Sequence, residues 1–250
     1  MTVLPGLVSV TFRHLTPAAV VELAAANGMA AIEWGGDVHV PVGAHAVARE
    51  VAARCADAGI AVEAYGSYYR ADGAGFADVL ATAKSLGAPR IRVWAGNAGS
   101  EETPDRTPVV ADLRQIAEQA GAEGVEIAVE YHANTLTDTL ESALDLFAEV
   151  PAVKPYWQPP VGSTRADAVA AVPALNPVAA HVFSWSDTGE RLPLSDRAEL
   201  WRPVLATLAE LPGARHALLE FVRDDDPAAF AADAATLHTW LATPGWGNDS

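Results

Sequence analysis

Four short apolar segments in the second half of the chain each carry, near their end, a side chain of a kind that binds metal ions. The four residues are Glu130, Gln158, His181 and Glu220. Two carboxylates, an imidazole and an amide oxygen form a plausible shell for a hard or borderline divalent cation. These positions are far apart in the sequence, and a fold that gathers strand ends at one point would bring them together.

The elements that must gather them follow a regular alternation of short β-branched runs and longer amphipathic stretches rich in Ala and Leu. Local signals mark helix ends, such as Thr16 before Pro17 at a start and Gly28 at a stop. Strands that alternate with helices in this way imply a parallel sheet. Eight such units in 250 residues predict an α/β fold, a single (β/α)8 TIM barrel that forms one domain over residues 1–250, with about 244–250 as a loose tail.

In such a barrel the C-terminal ends of the strands converge on one mouth, where catalytic residues lie. Side chains two positions apart in a strand share a face, so Glu130 and His132 point the same way, while Ile127 and Val129 face the helices. Glu220 lies in so apolar a strand that it needs a partner, because burying an unpaired carboxylate is costly. A metal ion supplies such a partner.

A further set of polar and aromatic residues at the strand ends is suited to contact a substrate. Aromatic rings suit the apolar faces of a carbohydrate. Glu33 and Glu63 are open to two interpretations, either as mouth residues that hydrogen-bond substrate hydroxyls or histidines, or as ion-pair partners. The candidate substrate-binding residues are His132, Trp94, Trp185, Tyr68, Arg223 and Glu33.

Charge and composition exclude some classes of partner. The formal net charge of -16 argues against binding to nucleic acid and to anionic membranes. The N-terminal segment has no basic region before its apolar run, and no segment is long enough to cross a membrane, so the expected location is the cytoplasm. Cys55 is expected to be a small buried residue. The expected partner is a carbohydrate-like small molecule, and assembly into a homo-oligomer remains open.

The order Glu130, Gln158, His181, Glu220 on the last four strands, with the segment IEWGGDVH after the second strand, resembles the xylose isomerase-like TIM barrels of the sugar phosphate isomerase/epimerase group. The resemblance implies one divalent cation, Mn²⁺, Mg²⁺ or Co²⁺, with Glu130, His181 and Glu220 as ligands and Gln158 in the fourth position. It also implies that the two glutamates transfer protons. The chain departs from the family pattern at Gln158, where aspartate is usual, so the site carries one negative charge fewer.

The resemblance implies an isomerase or epimerase of a small sugar, keto-polyol or hydroxy-ketone. One glutamate removes a proton next to the carbonyl to give an enediolate, and the other returns a proton. Return to the adjacent carbon is isomerisation, return to the opposite face is epimerisation, and loss of a β-hydroxyl is dehydration. Two alternatives stay open, a dehydratase of the inosose type on the same site and a sugar-binding barrel without catalysis. The acidic charge disfavours a DNA-repair endonuclease of the same fold.

Overall fold

Eight parallel strands alternate with eight α-helices in the computed structural model, which describes residues 2–242. The strands are β1 (Val3–Val8), β2 (Ala31–Gly35), β3 (Ala61–Gly66), β4 (Arg90–Val93), β5 (Glu126–Glu130), β6 (Lys154–Trp157), β7 (Ala179–Val182) and β8 (Arg215–Leu219). The helices are α1 (Pro17–Ala26), α2 (His45–Asp57), α3 (Phe76–Leu86), α4 (Thr107–Ala122), α5 (Leu140–Glu149), α6 (Arg165–Leu175), α7 (Ala198–Glu210) and α8 (Pro227–Ala242). Short 3-10 turns lie at Ser9–Phe12, Leu194–Arg197 and Arg223–Asp225. Within residues 2–242, no helix combines the length and the apolar character needed to cross a bilayer.

The strands close into a barrel. Each strand pairs in parallel with the next one along the chain, and β8 pairs with β1. This arrangement confirms the predicted α/β fold, a single (β/α)8 TIM barrel. The tail predicted at about 244–250 lies outside the described residues.

The apolar residues form two layers, one on each side of the barrel wall. The outer layer packs the strands against the helices and includes Ile127 and Val129 of β5, as the alternation predicts. The inner layer fills the barrel with side chains from several strands and from the 3-10 turn after β1, namely Val8, Val10, Ala64, Ala128, Tyr156, Ala179 and Leu218. The interior of the barrel is therefore a packed core, which leaves the mouth as the place to look for a functional site.

Local sequence signals set the helix ends. The Thr16 hydroxyl accepts a hydrogen bond from the Ala19 backbone N–H at 3.3 Å, and Pro17 opens α1. Gly28 ends the same unit with a φ of +67°, a conformation that glycine adopts without steric cost. Cys55 of α2 is buried, as expected.

One irregularity in the sheet lies next to Glu33. Ile32 of β2 pairs with Val62 of β3, but Glu33 pairs with Ala64, so Glu63 is an extra residue in β3. Such a bulge bends the strand and re-aims its side chains, and bulges often lie beside active sites.

The side chain of Glu63 is fully buried and forms an ion pair with Arg90 at the start of β4. Its other oxygen accepts a hydrogen bond from the Tyr156 hydroxyl at 2.7 Å, and His216 Nδ1 lies 3.4 Å from the first oxygen. Glu63 is therefore an ion-pair partner within the barrel, one of the two interpretations left open by the sequence.

Candidate active site

A cavity of about 430 Å³ opens at the C-terminal ends of the strands. Its lining includes Glu130 at the end of β5, Gln158 just after β6 and Glu220 just after β8. A cavity of this size suits a small molecule. His181 of β7 is fully buried and lies directly behind the two glutamates, so the fold brings all four predicted ligands together.

Hydrogen-bond donors occupy both carboxylate oxygens of Glu130. Its Oε2 accepts from the Arg92 guanidinium and from the Trp94 indole, and its Oε1 accepts from Gln158 Nε2 at 2.9 Å. Burial alone would raise the pKa of Glu130, but the positive charges of Arg92 and His181 outweigh burial and lower it to about 2. Glu130 is thus held as an anion.

A second buried carboxylate, Glu33 of β2, lies behind the cavity and joins Arg92 to His181. Its Oε1 accepts from Arg92 Nε at 2.6 Å, and its Oε2 lies 2.8 Å from His181 Nε2. Burial would raise the pKa of Glu33, but Arg92 and His181 bring it well below its ordinary range. Burial would lower the pKa of His181, but the charges of Glu220 and Glu33 raise it well above its usual value.

Glu220 differs from Glu130 in having a free oxygen. Its Oε2 is buried and has no hydrogen-bond partner among residues 2–242; it lies 3.5 Å from His181 Nδ1. Burial raises the pKa of Glu220 to about 7, with His181 opposing the rise and Glu130 adding to it. The two glutamates of the cavity therefore have different environments, one saturated with donors and one without them.

The donor set at the centre of the cluster fits a divalent cation. His181 Nδ1 and Glu220 Oε2 lie 3.5 Å apart, and both are buried polar atoms without a hydrogen-bond partner in the described part of the chain, as expected of atoms that bind a ligand. Glu130 Oε1 lies 3.5 Å from the same Nδ1. The described residues hold no ready-made group of three or more His, Cys, Asp or Glu side chains that could bind a metal. Because Arg92 pairs with Glu130, a cation would compete with Arg92 for that carboxylate.

Aromatic rings line opposite sides of the cavity. On the β4–β5 side, the rings of Trp94 and His132 lie 4.8 Å apart with a 33° tilt. On the β7–β8 side, Trp185 lies 5.0 Å from Phe183 and 5.5 Å from Phe221. Since β4 and β8 lie opposite each other in the eight-stranded barrel, aromatic residues form walls on two sides of the cavity.

Two of the lining residues have strained backbones. Tyr68 has a φ of +57° and Phe221 a φ of +53°, and both carry bulky side chains. Such conformations cost free energy and persist where the surrounding structure holds them in place. The Tyr68 hydroxyl accepts from Arg13 at 3.1 Å, and the Phe221 backbone N–H donates to the Thr11 hydroxyl at 3.2 Å. These contacts therefore help to hold two strained residues in the lining of the cavity.

Four of the six predicted substrate-binding residues line the cavity, namely Tyr68, Trp94, His132 and Trp185. Glu33 and Arg223 do not. The carboxylate of Glu33 is buried behind the cavity by its contacts with Arg92 and His181. Arg223 lies in a turn after β8, and its side chain is 56% exposed with its Nε 3.8 Å from Asp224.

Arg92 was not among the predicted site residues, but it lines the cavity and pairs with Glu130 in the lining and with Glu33 behind it. A signal was present, because Arg92 lies inside an apolar strand and shares a face with Trp94, two positions later. Arg13, Phe183 and Phe221 also line the cavity and were not among the predicted site residues.

Comparison with known proteins identifies the family. Residues 21–162 match the family described as xylose isomerase-like TIM barrel. A 63-residue segment is 40% identical to a 3-dehydroshikimate dehydratase of Bacillus anthracis, and it covers 24% of this chain and 22% of that enzyme.

Solved structures with low sequence identity share the fold. The crystal structure of a probable 3-DHS dehydratase from Bacillus anthracis superposes with a TM-score of 0.78 at 20% identity, covering 95% of this chain and 99% of that chain. A xylose isomerase domain protein from Alicyclobacillus acidocaldarius gives 0.71 at 17% identity, covering 96% and 99%. A D-allulose 3-epimerase from Methylomonas sp. gives 0.64 at 14% identity, covering 96% and 98%.

Proposed function

The chain belongs to the xylose isomerase-like TIM barrel family, and we propose that it is an enzyme that moves a proton at the carbon next to a carbonyl group. The substrate is a small hydroxylated ketone or aldehyde, such as a sugar or keto-polyol, and the reaction is isomerisation or epimerisation. The observation that carries the proposal is the position of Glu220, which lines the cavity and whose buried Oε2 has no hydrogen-bond partner among residues 2–242. A carboxylate oxygen without donors, beside a substrate-sized space, is suited to accept a proton from carbon.

The two glutamates have distinct parts in this reaction. Glu220 takes the proton of the C–H bond, and the bonding electrons move to the carbonyl oxygen to give an enediolate. Return of a proton to the adjacent carbon gives the isomer, and return to the opposite face gives the epimer. Glu130 already accepts three hydrogen bonds, so it transfers a proton only after it loses one of them.

A divalent cation, Mn²⁺, Mg²⁺ or Co²⁺, is part of the proposal. Glu130, His181 and Glu220 would hold it, with Gln158 beside them. When bound, it supplies Lewis acidity, which polarises the carbonyl and acidifies the neighbouring C–H. Gln158 directs its amide nitrogen to Glu130, so the amide must turn before its oxygen faces the cluster.

The aromatic walls support a carbohydrate-like substrate. Trp94 and His132 on one side, and Trp185 with Phe183 and Phe221 on the other, line the cavity with aromatic side chains. Ring faces pack well on the apolar C–H faces of sugars, while the carboxylates and Arg92 are left for hydroxyl and carbonyl groups. The name of the D-allulose 3-epimerase agrees with a substrate of this class.

The test is a deuterium-exchange screen in D₂O with Mn²⁺-loaded protein over ketoses, inososes and hydroxypyruvate. We expect incorporation at the carbon next to the carbonyl of at least one compound, and loss of incorporation in Glu220→Gln. Glu63→Gln is the matched control, because Glu63 is also buried but pairs with Arg90 away from the cavity. Exchange with no compound, or exchange that survives in Glu220→Gln, would refute the proposal.

Dehydration is the second candidate, and one observation favours it. A segment of the chain is 40% identical to a 3-dehydroshikimate dehydratase, and the whole fold is similar to that of a probable dehydratase. In this reaction Glu220 removes the same proton, and a hydroxyl on the next carbon leaves as water. Mass spectrometry separates the two candidates, since dehydration yields a product lighter by one water, whereas isomerisation and epimerisation leave the formula unchanged apart from deuterium.

A further inference from the structure

Glu33 is fully buried, and neither proton transfer nor substrate contact accounts for it. Its two carboxylate oxygens bind two different partners, Arg92 Nε at 2.6 Å and His181 Nε2 at 2.8 Å. Burying a carboxylate is costly unless its contacts are satisfied. This costly buried carboxylate lies directly behind the candidate active site.

Room for this carboxylate is built into the neighbouring strand. A Cβ atom at Gly66 of β3 would lie 2.6 Å from Glu33 Oε1 and 2.8 Å from Arg92 Nη2. Real Cβ atoms do not come so close to other heavy atoms, so the absence of a side chain at Gly66 makes space for the pair. The bulge between β2 and β3 begins at Glu33 and adjusts the strand at the same point.

When the ring of His181 is neutral, the hydrogen-bonding capacities of the three groups decide which of its two nitrogens carries the proton. Arginine can only donate, and an ionised carboxylate can only accept. Glu33 therefore accepts from both neighbours, and His181 must donate its Nε2–H to Glu33. The other ring nitrogen, Nδ1, is left facing Glu130 and Glu220 at 3.5 Å from each.

We propose that Glu33 is a positioning residue that fixes the ring of His181 in the Nε2–H form and aims Nδ1 at the reacting site. The ion pair with Arg92 holds the Glu33 carboxylate in place for this task. Metal-binding histidines commonly donate their second ring nitrogen to such a partner. The inference rests on the proposed function only in treating His181 as part of the reacting site.

The isosteric variant Glu33→Gln provides a sharp test, because an amide cannot accept on both sides. Arg92 only donates, so the amide oxygen must turn to Arg92 and the amide N–H₂ to His181. His181 Nε2 must then accept, and the ring proton moves to Nδ1. We expect the tautomer of His181 to invert and Nδ1 to be lost as a ligand atom.

Long-range ¹H–¹⁵N spectra of [¹⁵N]histidine-labelled protein report the tautomer at a pH where the ring is neutral. The chain has seven histidines, so the His181 signals are assigned by their loss in His181→Gln. We expect Nε2–H in the wild type and Nδ1–H in Glu33→Gln. Titration with Mn²⁺ should show an affinity about 10- to 100-fold weaker in Glu33→Gln.

Glu63→Gln is the control for the loss of a buried, ion-paired glutamate. Its carboxylate contacts Arg90 and Tyr156 rather than His181, so the tautomer and the Mn²⁺ affinity should stay as in the wild type. A thermal melt on each variant separates a loss of stability, which both variants can show, from a change at His181, which only Glu33→Gln should show.

The outcomes separate this inference from the proposed function. The positioning role is wrong if His181 keeps the Nε2–H form in Glu33→Gln. It is also wrong if His181 carries Nδ1–H in the wild type, and this measurement does not depend on the folding of any variant. If the tautomer inverts as expected but the wild type exchanges no substrate proton, the positioning role stands and the proposed function fails.

Discussion

The guanidinium of Arg92 lies between the carboxylates of Glu33 and Glu130, and all three side chains are buried. Removing the guanidinium of Arg92 would leave the buried carboxylates of Glu33 and Glu130 without their shared positive partner. We expect Arg92→Met, which keeps most of the side-chain volume, to lower the free energy of unfolding by about 3–5 kcal/mol. Chemical denaturation measures the change. Arg54→Met, which breaks an exposed pair with Glu50, should have little effect; equal losses in the two variants would contradict the prediction.

Replacing Gln158 with aspartate should raise the affinity for Mn²⁺. Gln158 now donates to Glu130 at 2.9 Å, and an aspartate would instead place a second anion beside that carboxylate. We therefore expect the metal-free Gln158→Asp protein to melt at a lower temperature and Mn²⁺ to bind more tightly, as measured by calorimetry on both proteins. An unchanged affinity would remove position 158 from the ligand shell.

Truncating His132 should impair turnover more than stability. The ring lines the cavity, stacks against Trp94 at 4.8 Å and is only half-buried. We expect His132→Ala to lower kcat for proton exchange and leave the melting temperature nearly unchanged. His45→Ala is the control, since His45 begins α2 and bonds Ser85 away from the cavity. Full activity with lower stability would show that His132 is structural.

Removing the Trp185 ring should weaken substrate binding. Trp185 is the central ring of the wall that it forms with Phe183 and Phe221. We expect Trp185→Leu to cost about 0.5–1.5 kcal/mol of binding free energy, seen mainly as a higher KM with a smaller change in kcat. An unchanged KM for every compound that exchanges its proton would show that the substrate does not contact this wall.

Adding one methyl group at Gly66 should disturb the Glu33–Arg92 pair. The new Cβ would lie within 3 Å of both side chains, and overpacking of this kind typically costs about 1–3 kcal/mol. Gly66→Ala should therefore lower both stability and Mn²⁺ affinity. Gly121→Ala on α4 has nothing within 4 Å of the new Cβ and should be neutral or stabilising. A Gly66→Ala protein that matches the wild type in both measurements would contradict the crowding.

Much of the fold could be predicted from the sequence because the signals for strands, helices and helix ends are local. The alternation of strand and helix patterns, the cap at Thr16 and the stop at Gly28 each depend on a few neighbouring residues. The convergence of Glu130 and Glu220 also follows, since the ends of parallel barrel strands meet at one mouth.

The charged network behind the cavity is harder to read because its pairs are distant in sequence. Arg92 lies 59 positions from Glu33 and 38 from Glu130, and the three residues meet only through the pairing and register of strands β2 to β5. Arg223 illustrates the opposite case, because it lies near a strand end in the sequence but outside the cavity in the structure. After β8, the left-handed backbone at Phe221 and the turn that follows leave the Arg223 side chain exposed.

The strand β4 carries two arginines on the same face, Arg90 and Arg92, and each neutralises a buried glutamate at a different depth of the barrel. A slip of β4 by one residue would turn both arginines to the outside and leave Glu33 and Glu63 without their cations. Misregistered barrels would thus carry a double electrostatic penalty. The ion pairs of Arg90 and Arg92 therefore favour the native register of β4 over a register shifted by one residue.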